Sequence, residues 1–87
     1  MAIGVVRELQ RAGVRVPADV AVTGFDDLYP SRIIDPPLTT VGQPIHELGS
    51  RATHRLIARI ASPGLTPQAE LLPTQIVIRT SCGCRPK

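Results

Sequence analysis

Eighty-seven residues make one domain at most, and a chain of that length buries only roughly 60% of the surface its unfolded form exposes. Phe25 and Tyr29 are the only aromatics, so Leu, Ile and Val must build the core, while nine Pro and seven Gly imply several sharp connections between short elements. The net charge of +3 rests on scattered arginines, with no run of basic residues, no helix-turn-helix pattern and no stacking aromatics, which fits a solvated surface better than a nucleic-acid face.

Nothing in the sequence approaches the length of a membrane span, and the apolar stretch at residues 1–6 is too short for a signal peptide. Cys82 and Cys84 sit together near the C-terminus, which is no disulfide framework, so the expected compartment is the cytoplasm.

Residues 2–12 read as a helix whose apolar face carries Ala2, Val5, Val6, Leu9 and Ala12, with Arg7, Glu8 and Arg11 opposite and Gly13 placed for a left-handed cap. Ile3 projects toward the polar side, either as a lone exposed residue or as a subunit contact. The run at 19–27, Asp-Val-Ala-Val-Thr-Gly-Phe-Asp-Asp, reads as a fully buried strand of a parallel sheet. Ligands of such sheets sit beyond the carboxyl ends of the strands, where Asp26 and Asp27 fall. There the two carboxylates either accept bonds from ligand hydroxyls or close a turn through nearby N–H groups.

Pro30, Pro36 and Pro37 exclude regular structure through most of residues 28–37, and residues 38–41 form a short β-prone piece. Pro44 suits the first position of a helix running to about residue 61, with Ile45, Leu48, Gly49, Ala52, Leu56 and Ile60 on its buried face and Glu47 and Arg51 as an i,i+4 pair. Arg51, Arg55 and Arg59 line one flank as a solvated edge. Ser62-Pro63-Gly64 ends the helix, and residues 71–73 and 75–79 read as a last strand interrupted by Pro73. Two good strands, one short one and two helices are too few to cover the apolar faces they carry, so a partner chain or a further N-terminal portion is expected.

Thr39, Thr40 and Gln43 cluster near the second helix start, where they either fix a polar ligand or cap the helix. Cys82-Gly83-Cys84 is at most half of a soft-metal site, because His46 and His54 lie on the long helix and structural zinc needs four ligands. No nucleophile triad or phosphate-binding loop can be assembled from these residues, so neither catalysis, a metal nor a cofactor is expected.

Taken in order, Ala2-Ile3-Gly4, the stretch 13–27 ending in Gly24-Phe25-Asp26-Asp27, Pro36-Pro37-Leu38-Thr39-Thr40-Val41-Gly42-Gln43-Pro44, Leu48-Gly49, Leu72-Pro73-Thr74 and Val77-Ile78-Arg79-Thr80-Ser81-Cys82-Gly83 resemble LacI/GalR-family transcriptional regulators over nearly the whole chain. The resemblance implies an α/β chain with a partial periplasmic-binding-protein-like fold, the C-terminal portion of a parallel-sheet subdomain sandwich. Residues 1–87 would be a fragment of the sensor domain, without the helix-turn-helix headpiece and N-terminal subdomain. The parent would bind operator DNA through that headpiece only, work as a homodimer away from any membrane, and respond to a small effector such as a sugar. In this pattern Asp26 and Gln43 are ligand contacts, while Ile3, Ile33 and Ile34 fall at dimer-interface positions. A fragment of a periplasmic sugar-binding protein of a transport system is the alternative, and the 36–41 and 79–83 motifs favour the regulator.

Overall fold

The computed structural model describes residues 1–84, in two units: Met1–Gln43 joined by the segment from Gln75, and Pro44–Thr74. In the first unit, helix α1 spans Ala2–Arg11. Gly13 takes the left-handed conformation at φ +80°, which lets its N–H reach the Gln10 carbonyl (3.1 Å) and the Val14 N–H reach that of Leu9 (2.9 Å). Both bonds satisfy carbonyls that the helix end would otherwise leave unpaired.

The core is small: Val6, Val22 and Leu38 are buried, and Ala2, Ile3, Leu9, Val16 and Ile34 pack partly against them. Ile3 therefore leans on the core and does not project among the polar residues, while Val5, expected inside, is 45% exposed. The inward face centres on Ala2, Ile3, Val6 and Leu9, a rotation of roughly half of the 100° between successive residues. Gly24 fixes how close α1 comes, because a Cβ there would stand 2.8 Å from Leu38 Cδ2 and 3.1 Å from Ala2 Cβ.

Residues 19–27 do not form the regular, fully buried strand expected of them: Asp19 lies in a turn and the chain bends at Phe25 and Asp26. The N–H groups of Val22, Gly24 and Asp26 donate to the carbonyls of Ser81, Thr39 and Val41, each at 2.9 Å, and Thr23 forms a parallel bridge with Thr39. Val22 is buried, but Val20 is exposed and Phe25 is 59% exposed. A strand buried on both faces needs a layer on each face, and the described residues of this unit supply one.

Helix α2, Pro30–Ile33, occupies a stretch expected to be irregular. Pro30 opens it, at a position where the missing N–H costs nothing and the fixed φ is already helical. Strand β1, Thr40–Gly42, pairs antiparallel with β2, Gln75–Val77, so that Thr40 faces Val77 and Gly42 faces Gln75. The regular pairing is thus antiparallel, and the parallel relation expected for the sheet survives only between the 22–26 segment and 39–41. The final strand is also shorter than the expected 75–79.

The second unit contains helix α3, Ile45–Ala61, with Pro44 as its N-cap and not its first helical residue. No residue of α3 is buried, and the expected inner face is open: Ile45, Leu48 and Leu56 are exposed and Ile60 is 71% exposed. The arginine flank is solvated, as expected, and two of its members are also paired. Arg51 pairs with Glu47 and Glu70, and Arg55 bonds Glu70 and the Gln68 carbonyl, each at 3.0 Å. These bonds hold the 65–74 loop against the helix, and the hydrogen bond from Arg51 keeps the Glu70 carboxyl below its ordinary pKa.

Candidate functional site

The segments 22–26 and 39–43 run parallel, so their carboxyl ends arrive side by side with Asp26 and Asp27 on one and Gln43 on the other. Gln43 Nε2 donates to Asp26 Oδ1. Both predicted ligand contacts are therefore brought together, at the end of the strands where an α/β sheet binds its ligands. Asp26 is exposed, and its N–H is held by the Val41 carbonyl at 2.9 Å.

Asp26 and Asp27 both adopt positive φ, +84° and +47°. That region is uncommon for residues with a Cβ and costs on the order of 1–2 kcal/mol, least for Asn and Asp. Two such residues in succession persist only where surrounding contacts fix them. The Asp27 N–H donates to Thr40 Oγ1 (3.2 Å), and Arg79 Nη2 donates to Asp27 Oδ1 (2.7 Å) while Arg32 stands 3.9 Å from the other oxygen. Asp27 and Arg79 are 16% and 15% exposed, so this pair is largely shielded from water. The two acids thus divide the work: Asp27 anchors the turn inward and Asp26 is turned out.

Arg79 is tied in further. Its Nη1 donates to the Leu38 carbonyl and its backbone N–H to Thr39 Oγ1, both at 2.9 Å. Thr39 N–H donates to Ser81 Oγ (2.8 Å), and the Ser81 hydroxyl donates to the Val22 carbonyl (2.6 Å). Thr39, Thr40 and Ser81 are buried in this network, and α3 carries no side-chain cap, so the capping role open to Thr39, Thr40 and Gln43 is not the one they take. Among the described residues no buried side-chain polar atom lacks a partner.

Sequence reasoning missed Arg79 and Ser81. The available signal was an arginine and a serine at alternate positions after an apolar run, where period-2 geometry sends both to one face. Among the predicted interface residues, Ile3 and Ile34 are half-buried against the core and Ile33 is exposed at the end of α2. An open groove between α1 and the 22–26 segment is lined by Ile3, Val5, Phe25, Asp26, Leu28 and Leu38, among others. Among the described residues no group of three or more His, Cys, Asp or Glu gathers to hold a metal, and no helix is long and apolar enough to cross a membrane.

The periplasmic binding protein-like domain family matches residues 1–82. The repressor MelR of Bacillus subtilis, an HTH-type transcriptional repressor, is 39% identical over the whole chain, which covers 25% of that protein. The lactose operon repressor of Klebsiella pneumoniae is 46% identical over 93% of this chain and 23% of its own. A LacI family transcriptional regulator from Enterococcus faecalis, solved with bound ribose, superposes with a TM-score of 0.83 at 35% identity, over 92% of this chain and 30% of that one. The chain spans about a quarter of the length of the curated relatives it matches. On this sequence match and shared fold, the chain belongs to the periplasmic binding protein-like domain family, on the branch of the LacI-type regulators.

Proposed function

We propose that residues 1–87 are the C-terminal part of the sensor domain of a transcriptional repressor. The whole regulator grips operator DNA through a separate headpiece and changes its grip when a sugar or related small metabolite binds. The observation that carries this reading is the Asp26–Gln43 pair at the common carboxyl end of two parallel segments. A charged carboxylate accepts sugar hydroxyls more strongly than a neutral acceptor would, and the Gln43 amide adds both a donor and an acceptor. The chemistry is recognition and not turnover, and the compartment is the cytoplasm. Ile3, Ile33 and Ile34 belong to the contact between two copies, with Ile33 the exposed member. The relatives' names as repressors favour this reading over a transport component.

Two measurements test it. Reading the DNA immediately upstream of Met1 should reveal, in frame, the rest of a sensor and a helix-turn-helix; stop codons or unrelated sequence would remove DNA binding from this protein. Equilibrium binding of ribose and a panel of other pentoses, hexoses and disaccharides to the whole product should find one sugar whose affinity falls about tenfold or more in Asp26→Ala, as loss of a charged hydrogen-bond acceptor requires. Binding that is indifferent to both Asp26→Ala and Gln43→Ala would sink the site assignment.

A further inference from the structure

Cys82-Gly83-Cys84 lies outside the proposed effector contacts, yet its first sulfur is joined to the polar network. Thr39 Oγ1 donates to Cys82 Sγ at 3.1 Å, and the Cys84 N–H donates to the same sulfur at 3.2 Å. The Gly83 N–H bonds the Thr80 carbonyl (3.0 Å), and Gly83 takes φ +74°, a conformation that closes the tripeptide on itself. Residues two apart lie at most about 7 Å from Cα to Cα, at the upper end of the span a disulfide bridges. Cys82 is half-buried and Cys84 exposed. We propose that Cys82 and Cys84 form a redox-active dithiol, in which Cys82 attacks, Cys84 resolves, and closure of the disulfide releases the Thr39 hydroxyl.

The two thiols are unequal. The Cys84 thiol, and after it the Thr39 hydroxyl, hold the Cys82 pKa below its ordinary value, while Cys82 pushes that of Cys84 up. Nucleophilic attack needs the thiolate, so Cys82 is the sulfur that meets an external oxidant. With a small disulfide such as glutathione disulfide, Cys82 Sγ bonds one glutathione sulfur. The external S–S bond breaks, and the departing thiolate takes a proton from water. Cys84 then gives its proton to solvent and attacks Cys82 Sγ, displacing the second glutathione as a thiolate. Two chain thiols are oxidised and one glutathione disulfide is reduced to two thiols. A disulfide closed over a single intervening residue is strained, and strained, exposed disulfides are the readily reduced ones, which suits a reversible switch. Closure turns Cys82 Sγ from the acceptor of the Thr39 hydroxyl into a weaker one, and the same Thr39 oxygen accepts the Arg79 N–H, so the change enters at the inner end of the Arg79–Asp27 tie.

The test treats the whole protein with glutathione disulfide, alkylates it, and weighs the peptide that carries Cys82 and Cys84 by mass spectrometry. The expected product has lost about 2 Da and carries no lasting glutathione. In the reduced chain near neutral pH, Cys82 should alkylate about fivefold faster than Cys84, and denaturing guanidinium should abolish the difference. Thr39→Val should cut that ratio about twofold, and Thr39→Ser, which keeps the hydroxyl, should preserve it. A persistent single glutathione adduct, equal alkylation of the two cysteines, or a ratio that is the same in Thr39→Val and Thr39→Ser would overturn the proposal.

Discussion

Each of the two units is held together internally, and by opposite means. Residues 1–43 and the closing strand bury Thr39, Thr40 and Ser81 beside Val6, Val22 and Leu38, and the shielded Arg79–Asp27 pair draws the chain's end onto its middle. Residues 44–74 bury nothing on α3, and they hold their loop with ion pairs of Arg51 and Arg55 that stay half-exposed. Yet α3, like α1, carries an apolar stripe at helical spacing. An amphipathic pattern states what a helix requires of its neighbours; it does not supply the neighbour. A polar network with every donor met, by contrast, fixes a small fold locally, because each buried group left unpaired would cost about 1–3 kcal/mol.

The sharpest way to break this comparison is to cut a leucine from each unit. Leu38→Ala should cost about 2–5 kcal/mol or abolish the cooperative urea transition followed by circular dichroism, since the side chain is 2% exposed. Leu56→Ala, on the open face of α3, should change stability by less than about 0.5 kcal/mol. Equal costs would mean that the exposed stripe of α3 is packed in solution.

Arg79→Met tests the polar side of the same contrast. It leaves the Asp27 carboxylate shielded and without its best partner, and it should lower stability by about 1–3 kcal/mol in urea unfolding. Adding Asp27→Asn should recover part of the loss, because the stranded charge is then gone. Glu70→Gln in the second unit should leave the same transition almost unmoved, since exposed pairs contribute little.

A smaller effect is expected at Gly24. Gly24→Ala places a methyl group 2.8 Å from the buried Leu38 Cδ2, and overpacking of that kind should cost about 1–2 kcal/mol by thermal unfolding. Gly49→Ala on α3 meets no atom within 4 Å and should be neutral or slightly stabilising through helix propensity.

The smallest effect is a pH dependence. Because the Glu70 carboxyl is held below its ordinary value of 4.5, its ion pair is present at neutral pH and is lost as pH falls through the lowered folded value. Carboxyl NMR should place the Glu70 midpoint below 4.5, and Arg51→Ala should return it toward that value. A midpoint unmoved by Arg51→Ala would show the clamp to be absent in solution.

Much of the candidate site was legible. Gly24-Phe25-Asp26-Asp27 pointed to carboxylates at a strand end and Thr39, Thr40 and Gln43 to a polar group near a helix start, and the structure joins Asp26 to Gln43. The division between the acids was legible only through the family resemblance, which singles out Asp26, because adjacent identical residues carry no local mark of which one turns inward. Arg79 decides it from 52 positions away. The rotation of α1 toward Ile3 was hidden for a similar reason: hydropathy gives the width of an apolar face, while the neighbouring layer selects which part of it is covered.

By itself the sequence determined the local events: the span of α1 with its Gly13 cap, the long helix ended by Ser62-Pro63-Gly64, the β-prone pieces, and the ordered motifs of a periplasmic binding protein-like domain. Those depend on propensity and on contacts a few residues apart. Only the tertiary structure decided that 19–27 is half-covered, that β1 and β2 pair antiparallel, and that Ser81 and Arg79 close the site from the far end of the chain. Those depend on hydrogen bonds between distant segments, whose partners no local pattern names.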